Sequence, residues 1–204
     1  MTRRSTWYAV LAPTLLVVGC DGVGPYEVGS SGELPAPRVE ATDPVGDLWP
    51  AGLLVPDRPD LIGLTALRTQ ATLEIELRFR DPVSGQLESP DAFGGFVDLD
   101  VDQSARTGGE GAVDIFRPLQ EAATGLGVEY IARIELGGRA FLFDVGANAE
   151  IAPLDLAIDG ARVTVRVPLS LLGDDGRLNL AAVVGNRMDA TDRIPNSGHL
   201  RLGS

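Results

Sequence analysis

Residues 73–80 read Leu73-Glu74-Ile75-Glu76-Leu77-Arg78-Phe79-Arg80. Apolar and charged side chains alternate without a break. Successive side chains of an extended strand point to opposite faces, so four apolar groups fall on one side and four charges on the other. A helix would scatter the same residues around its axis. The stretch therefore predicts a half-buried antiparallel strand, with one face on a core and the other in water.

The same pattern recurs on either side. Val163, Val165 and Val167 alternate with Arg162, Thr164 and Arg166, and Leu154, Leu156 and Ile158 precede them across Asp159-Gly160. Two alternating runs joined by an Asp-Gly pair predict a β-hairpin. A second hairpin is expected where residues 128–136 meet residues 139–145 across Gly137-Gly138, a pair able to take positive φ at both positions. Further strands are expected at 61–68, 96–101 and 178–184, the last apolar enough on both faces to be central. Consecutive hairpins favour a meander, and no internal repeat is evident. Helical candidates are short, at 120–124 and 169–172. Eight strands are recognisable in this way. The expectation is an all-β domain, an antiparallel β-sandwich of jelly-roll-like type with about eight to ten strands and little helix.

The N-terminus has a different character. Arg3 and Arg4 precede a mostly apolar run at residues 7–18, which closes on Leu16-Val17-Val18-Gly19-Cys20. Basic residues, then an apolar run, then a small residue before the cleavage point is the order of a secretory signal. The run has 12 residues, whereas a membrane-spanning helix needs about 20. A small residue before cysteine resembles the lipobox of bacterial lipoproteins, in which the cysteine thiol receives diacylglycerol and becomes the new N-terminus. Residues 1–19 are thus expected to be removed and Cys20 lipidated, with the several acyl chains of a mature lipoprotein holding the protein on the extracytoplasmic side of a membrane. Arg3-Arg4 also admits twin-arginine export, although Ser5 and Thr6 stand where apolar residues are expected. Asp21 resembles the inner-membrane retention signal of some two-membrane bacteria, so inner and outer membranes both stay open. Residues 20–42, rich in Gly, Pro, Ser and Glu, read as a tether with a reach of roughly 25 Å. Residues 43–204 read as one domain.

Composition narrows the chemistry. The chain has 17 basic residues against 29 acidic ones and a formal charge of −12; loss of Arg3 and Arg4 with the signal takes this to −14. Such a charge repels nucleic acid and anionic headgroups and attracts cations or basic partners. Cys20 is the single cysteine, so its lipidation leaves no thiol for a disulfide, a thiolate metal site or a nucleophile. His199 is the single histidine, which excludes multi-histidine zinc and two-histidine iron sites within one chain. No G-x-S-x-G elbow supports a serine triad around it. Met188 and His199 do not make a convincing haem pair, since a histidine near a chain end is ordinarily a surface residue. No catalytic residue is assigned. Once the signal is removed Trp49 is the sole tryptophan, so an aromatic platform for sugar rings is poorly supplied.

The most unusual local run is Val97-Asp98-Leu99-Asp100-Val101-Asp102. The alternation that buries Val97, Leu99 and Val101 sets three carboxylates on the other face. Strand residues two apart are separated by about 6.7 Å, so one hard cation could bridge neighbours where the strand bends into the loop at 103–111. Calcium is the ion that hard oxygen ligands favour. The EF-hand pattern does not fit, because Gln103 stands where glycine is required and Gly109 where the closing Glu is required. The competing reading is a solvated acidic edge that blocks strand-to-strand aggregation. Further candidate oxygen ligands are Asp43, Asp47, Asp114, and Asp192 with Asn196, although the same residues also simply make turns.

Taken in order, several phrases resemble a known family: Asp43-Pro44-Val45-Gly46-Asp47, Asp98-Leu99-Asp100-Val101-Asp102 with Thr107-Gly108, Pro168-Leu169-Ser170-Leu171-Leu172-Gly173, and Thr191-Asp192 with Pro195-Asn196. Together they look like the DOMON-like, carbohydrate-binding family 9-like β-sandwich modules of bacterial surface proteins. The resemblance implies a non-catalytic, jelly-roll-like module, often with structural calcium and sometimes with a sugar or haem ligand. The paired tryptophans that clamp sugar in such relatives are absent, so only the fold and calcium carry over. The expectation is a membrane-anchored binding or structural module. The alternatives are an envelope enzyme acting on glycan through paired carboxylates, or an accessory lipoprotein docking a basic protein partner.

Overall fold

The computed structural model describes residues 37–49, 58–173, 177–187 and 189–203. The expected export signal, Cys20, most of the expected tether and Met188 lie outside the described residues.

Eleven strands, all paired antiparallel, make up the described domain: β1 (Arg38–Thr42), β2 (Leu61–Arg68), β3 (Thr72–Phe79), β4 (Gly94–Asp100), β5 (Tyr130–Glu135), β6 (Arg139–Asp144), β7 (Ala149–Asp159), β8 (Arg162–Pro168), β9 (Leu178–Gly185), β10 (Ala190–Ile194) and β11 (Leu200–Leu202). Their order is β1-β2-β3-β8-β7-β6-β5-β4-β9-β10, with β11 also on β9. Strands β4 to β8 form the expected meander. The sheet folds over on itself at β7, whose first half (149–154) pairs with β6 and whose second half (155–159) pairs with β8. A strand shared between two layers is a standard way to turn a sandwich corner.

The alternation seen in the sequence is realised in β3. Leu73, Ile75 and Leu77 are fully buried and Phe79 nearly so, each contributing about 1.5–3 kcal/mol over an exposed position. Val163, Val165 and Val167 of β8 and Leu154 of β7 face the same core. Every residue of β9 is buried. Leu178, Leu180, Ala182 and Val184 join the central core. Ala181 and Val183 meet a second cluster on the outer face, with Trp49, Ala112, Val113, Leu126 and Val128. Beyond the meander, the two sheet ends approach each other. Leu61 N, at the start of β2, donates to Asp192 Oδ2 of β10 at 2.7 Å, Thr191 Oγ1 donates to Pro59 O at 2.8 Å, and Trp49 N donates to Thr191 O at 2.8 Å. The result is a nearly closed, barrel-like sandwich.

Several boundaries differ from the sequence reading. Residues 38–42, read as the end of the tether, are strand β1, paired with β2 from Arg38 to Thr42. Only Val39 and Ala41 alternate there, so the periodic signal is too short to stand out. The β7–β8 loop is Gly160-Ala161, because Asp159 already pairs with Arg162, and Gly160 takes the positive φ of +58°. The β5–β6 loop has three residues, Leu136 to Gly138, and of its glycines only Gly138 has positive φ. Among the described residues helix is confined to α1 (Ala112–Phe116) and a 3-10 turn at Leu169–Leu171. Residues 120–124, expected to be helical, are not. Asp114 explains part of this, since its carboxylate holds Thr124 N at 2.8 Å and Thr124 Oγ1 at 2.7 Å, fastening that segment in a loop.

Candidate metal centres

Asp98, Asp100 and Asp102 do not act together. β4 is a central strand, between β5 and β9, and α1 with the 126–128 segment covers the face that carries the aspartates. Asp98 is fully buried beneath α1 and accepts hydrogen bonds from Ala112 N at 2.9 Å and Val113 N at 2.8 Å. A carboxylate facing the first N–H groups of a helix satisfies donors that have no partner within the helix. Asp98 is therefore fastened to backbone rather than open to a cation. Burial pushes its carboxyl up to about 7 against those two hydrogen bonds. The solvated-edge reading fails as well, because Asp98 and Asp100 are both fully buried.

At the far end of β4 the chain does bring carboxylates together, with a different third member. One oxygen each from Asp100, Asp102 and Glu129 lie within 4.8 Å of one another. Gln103 makes this possible. It takes a φ of +56°, the left-handed turn that calcium loops usually give to glycine, and its side chain is held by Leu202 O at 3.4 Å and Arg201 Nη2 at 3.1 Å. Asp100 accepts from Ser104 N and Asn179 Nδ2, each at 3.0 Å. Asp102 accepts from Ser104 N at 3.0 Å and from Thr107 Oγ1. Glu129, just before β5, receives Val101 N at 3.0 Å on Oε2. Its Oε1 and the Oδ1 of buried Asn179 have no hydrogen-bond partner among the described residues. Burial raises the Glu129 carboxyl, and Asp102 and Asp100 raise it further. Three clustered carboxylates, one of which carries a bare buried oxygen, form an arrangement that a cation would satisfy.

A second cluster lies where the sheet ends meet. Oxygens of Asp43, Asp47 and Asp192 also fall within 4.8 Å of one another. Asp43 follows β1, Asp47 closes the 43–47 turn, and Asp192 is in β10. Asp192 accepts from Leu61 N at 2.7 Å and Arg193 N at 2.8 Å. Burial nevertheless pushes its carboxyl up to about 8, opposed by those two hydrogen bonds and assisted by the negative charges of Asp43 and Asp47. Asp43 is pushed up to about 7 by burial and by Asp47 and Asp60, with Arg193 pulling the other way. Asp47 accepts from Asn196 Nδ2 at 2.7 Å. Asp114 belongs to neither cluster and pairs with Thr124 and, at 3.6 Å, with Arg117.

Sequence spacing alone exposed Asp43, Asp47, Asp100, Asp102 and Asp192 as candidates, but not Glu129 or Asn179. Glu129 comes from the segment just before β5, 29 positions beyond Asp100, with no motif of its own. Asn179 sits in an apolar run where a lone amide gives no signal.

His199 places Nδ1 at 2.9 Å from Thr124 O, committing it to backbone. Trp49 is buried in the outer cluster. A groove of about 470 Å³ runs over Gly94, Gly95 and Gly185 beside Phe96 and Phe116, whose rings stack at 5.5 Å. Its Glu135 is paired with Arg133 and Arg139. In a smaller cavity of about 310 Å³, Asp60 and Asp81 both pair with Arg80. No family model matches this chain, nor does any curated protein or solved structure.

Proposed function

We propose that this chain is a lipoprotein, anchored through Cys20 on the extracytoplasmic face of a bacterial membrane, whose β-sandwich is a non-catalytic binding or structural module stabilised by calcium. The observation that carries the calcium assignment is the convergence of oxygens of Asp100, Asp102 and Glu129 within 4.8 Å, with Glu129 Oε1 unpartnered and Asn179, whose Oδ1 is also unpartnered, facing Asp100 through Nδ2. All of these donors are oxygen, the set that calcium takes with six to eight ligands in flexible geometry. Asp100, Asp102 and Glu129 would hold the ion, and Asn179 would join by presenting Oδ1. An amide can exchange the places of its O and N at no cost in shape. The ion would tie the β4 end to the loop before β5 and to β9, a structural role.

The non-catalytic reading is supported by the pairing of Glu135 in the groove, and of Asp60 and Asp81 in the smaller cavity, with arginines, since glycoside cleavage uses two opposed free carboxyl groups. The anchor rests on the sequence of residues 1–20, and the resemblance to DOMON-like, family 9-like modules agrees with both parts.

Thermal unfolding of the mature chain carrying Cys20→Ser tests the calcium assignment. A site occupied at one hundred times its dissociation constant stabilises by about 2.7 kcal/mol, so the midpoint in excess calcium should stand about 5–10 °C above that in chelator. Asp100→Asn should abolish most of that rise. Equal midpoints in chelator and calcium would remove the assignment. Incorporation of labelled fatty acid into the wild-type chain and not into Cys20→Ser tests the anchor.

A further inference from the structure

The groove over the outer face of the sheet has no role in that reading. Gly94 of β4 stands directly opposite Gly185 of β9, and Phe96 opposite Val183 two positions on. Residues two apart on a strand share a face, so a floor without side chains lies beside a raised apolar wall. Phe116, at the end of α1, extends that wall by stacking on Phe96 at 5.5 Å, and the groove so formed holds about 470 Å³. The apolar surface does not stop there. Ile115 is 59% exposed, Phe116 47% and Leu119 97%. One exposed leucine is ordinary, but three large apolar side chains within five residues, joined through Phe116 to an apolar groove, mark an interaction surface. The packing of α1 does not call for them, since the helix docks through Ala112 and Val113.

The charges at the rim select the partner. Arg133 pairs with Glu135 at 3.1 Å and Glu150 at 3.2 Å, and Arg187 with Glu88 at 3.4 Å, so both cations are already neutralised. Asp189 is bonded within its turn through its backbone N–H and C=O, and its exposed carboxylate has no partner among the described residues. The chain as a whole carries −12, which repels an acidic partner and draws a basic one. We propose that the groove, together with Ile115, Phe116 and Leu119, docks a basic segment of a partner protein through two apolar or aromatic side chains. One sits on the Gly94–Gly185 floor against Phe96 and Phe116, the other against Ile115 and Leu119, with a neighbouring Lys or Arg facing Asp189. Apolar anchors ringed by polar contacts are the usual form of a protein interface. A small ligand would fill the groove and leave Ile115 and Leu119 bare. The proposal rests on the domain being a binding module, and on neither the calcium nor the lipid, so its test can fail while theirs succeed.

Peptide display tests this on the mature chain carrying Cys20→Ser. A random peptide library is selected on that chain and counter-selected on the same chain with Gly94→Leu, which fills the floor. Gly94 does not take positive φ, and a Cβ there meets nothing nearer than Ile134 O at 3.1 Å, a contact that a small shift relieves. Leu119→Ser, which alters an almost wholly exposed side chain, takes its place if Gly94→Leu does not fold. Recovered peptides should carry two apolar or aromatic residues and a net positive charge. The tightest of them, made synthetically, should bind Leu119→Ser about tenfold more weakly and Gly94→Leu more weakly still. Asp189→Asn should lose several-fold, and affinity should fall as salt rises. Neutral or acidic peptides, no enrichment over the counter-selected variant, or equal binding by Leu119→Ser would overturn the proposal. So would either rival occupant. Co-sedimentation with phosphatidylcholine vesicles, lost in Leu119→Ser, would give the surface to lipid, and a dimer that Leu119→Ser dissolves would give it to a second copy of this chain.

Discussion

Replacing Asp98 separates its two opposing contributions, the backbone donors it satisfies and the cost of its own burial. In Asp98→Ala the N–H groups of Ala112 and Val113 lose their acceptors beneath α1, and each unsatisfied buried donor costs about 1–3 kcal/mol. The carboxyl has a pKa of about 7 in the fold against an ordinary 3.8. Between those values the folded protein keeps a proton that the unfolded chain has released, so stability falls as pH rises through the interval and levels off above it. From pH 5 to 7 that is about two units at about 1.4 kcal/mol each, or roughly 3 kcal/mol. Asp98→Ala should therefore destabilise most near pH 5 and least near pH 8. Asp98→Asn keeps an oxygen acceptor but cannot ionise, so it should lose this part of the slope. Urea unfolding in chelator across pH 5 to 8 measures it. Wild type should decline more steeply than Asp98→Asn by about 3 kcal/mol over the interval, with a residual slope left by Asp43 and Asp192. Parallel pH profiles for the two proteins would refute the reasoning.

Four further substitutions check other parts of the structure by denaturant unfolding. Gly111→Ala would place a Cβ 2.1 Å from Asp98 Oδ2 and 2.7 Å from Val128 Cγ2, and forcing α1 off its carboxylate should cost about 1–3 kcal/mol. Leu77→Ala, at a fully buried position in β3, should cost about 2–5 kcal/mol, whereas Glu76→Ala beside it loses only a 3.5 Å pair with Arg162 and should cost under about 1 kcal/mol. Arg193→Met leaves Glu121 and two backbone carbonyls without their buried partner and should cost about 3–5 kcal/mol, with a smaller loss when Glu121→Gln is added.

How much of this was legible in the sequence depended on whether one face of each element is wet. β3 and β8 alternate because their outer faces carry Glu74, Glu76, Arg162 and Arg166 in solvent, and their positions were readable to within a residue or so. β9 was legible as central for the complementary reason, an apolar run with both faces covered. β10 was not, because Asp192 and Arg193 are buried polar residues that break the pattern the eye follows, and each is held in part by distant residues, Leu61 for the first, Ala122 and Glu121 for the second. β11 has three residues, too few for any period. α1 escaped notice since its buried residues, Ala112 and Val113, gain helical form by docking on Asp98 rather than from propensity. The acidic run on β4 was visible as unusual, but a strand-only view set three equivalent aspartates side by side. The cover on that face and the turn at Gln103 divide them, sending Asp98 to the helix and Asp100 with Asp102 to Glu129.

The central claim is that the β4 end holds calcium, and a crystal structure of the mature chain grown with calcium addresses it most directly. The account predicts a calcium peak bound by Asp100, Asp102 and Glu129 at about 2.3–2.6 Å, with Asn179 turned to present Oδ1. Clear density for these four side chains with water-mediated or direct arginine contacts in place of an ion would contradict it.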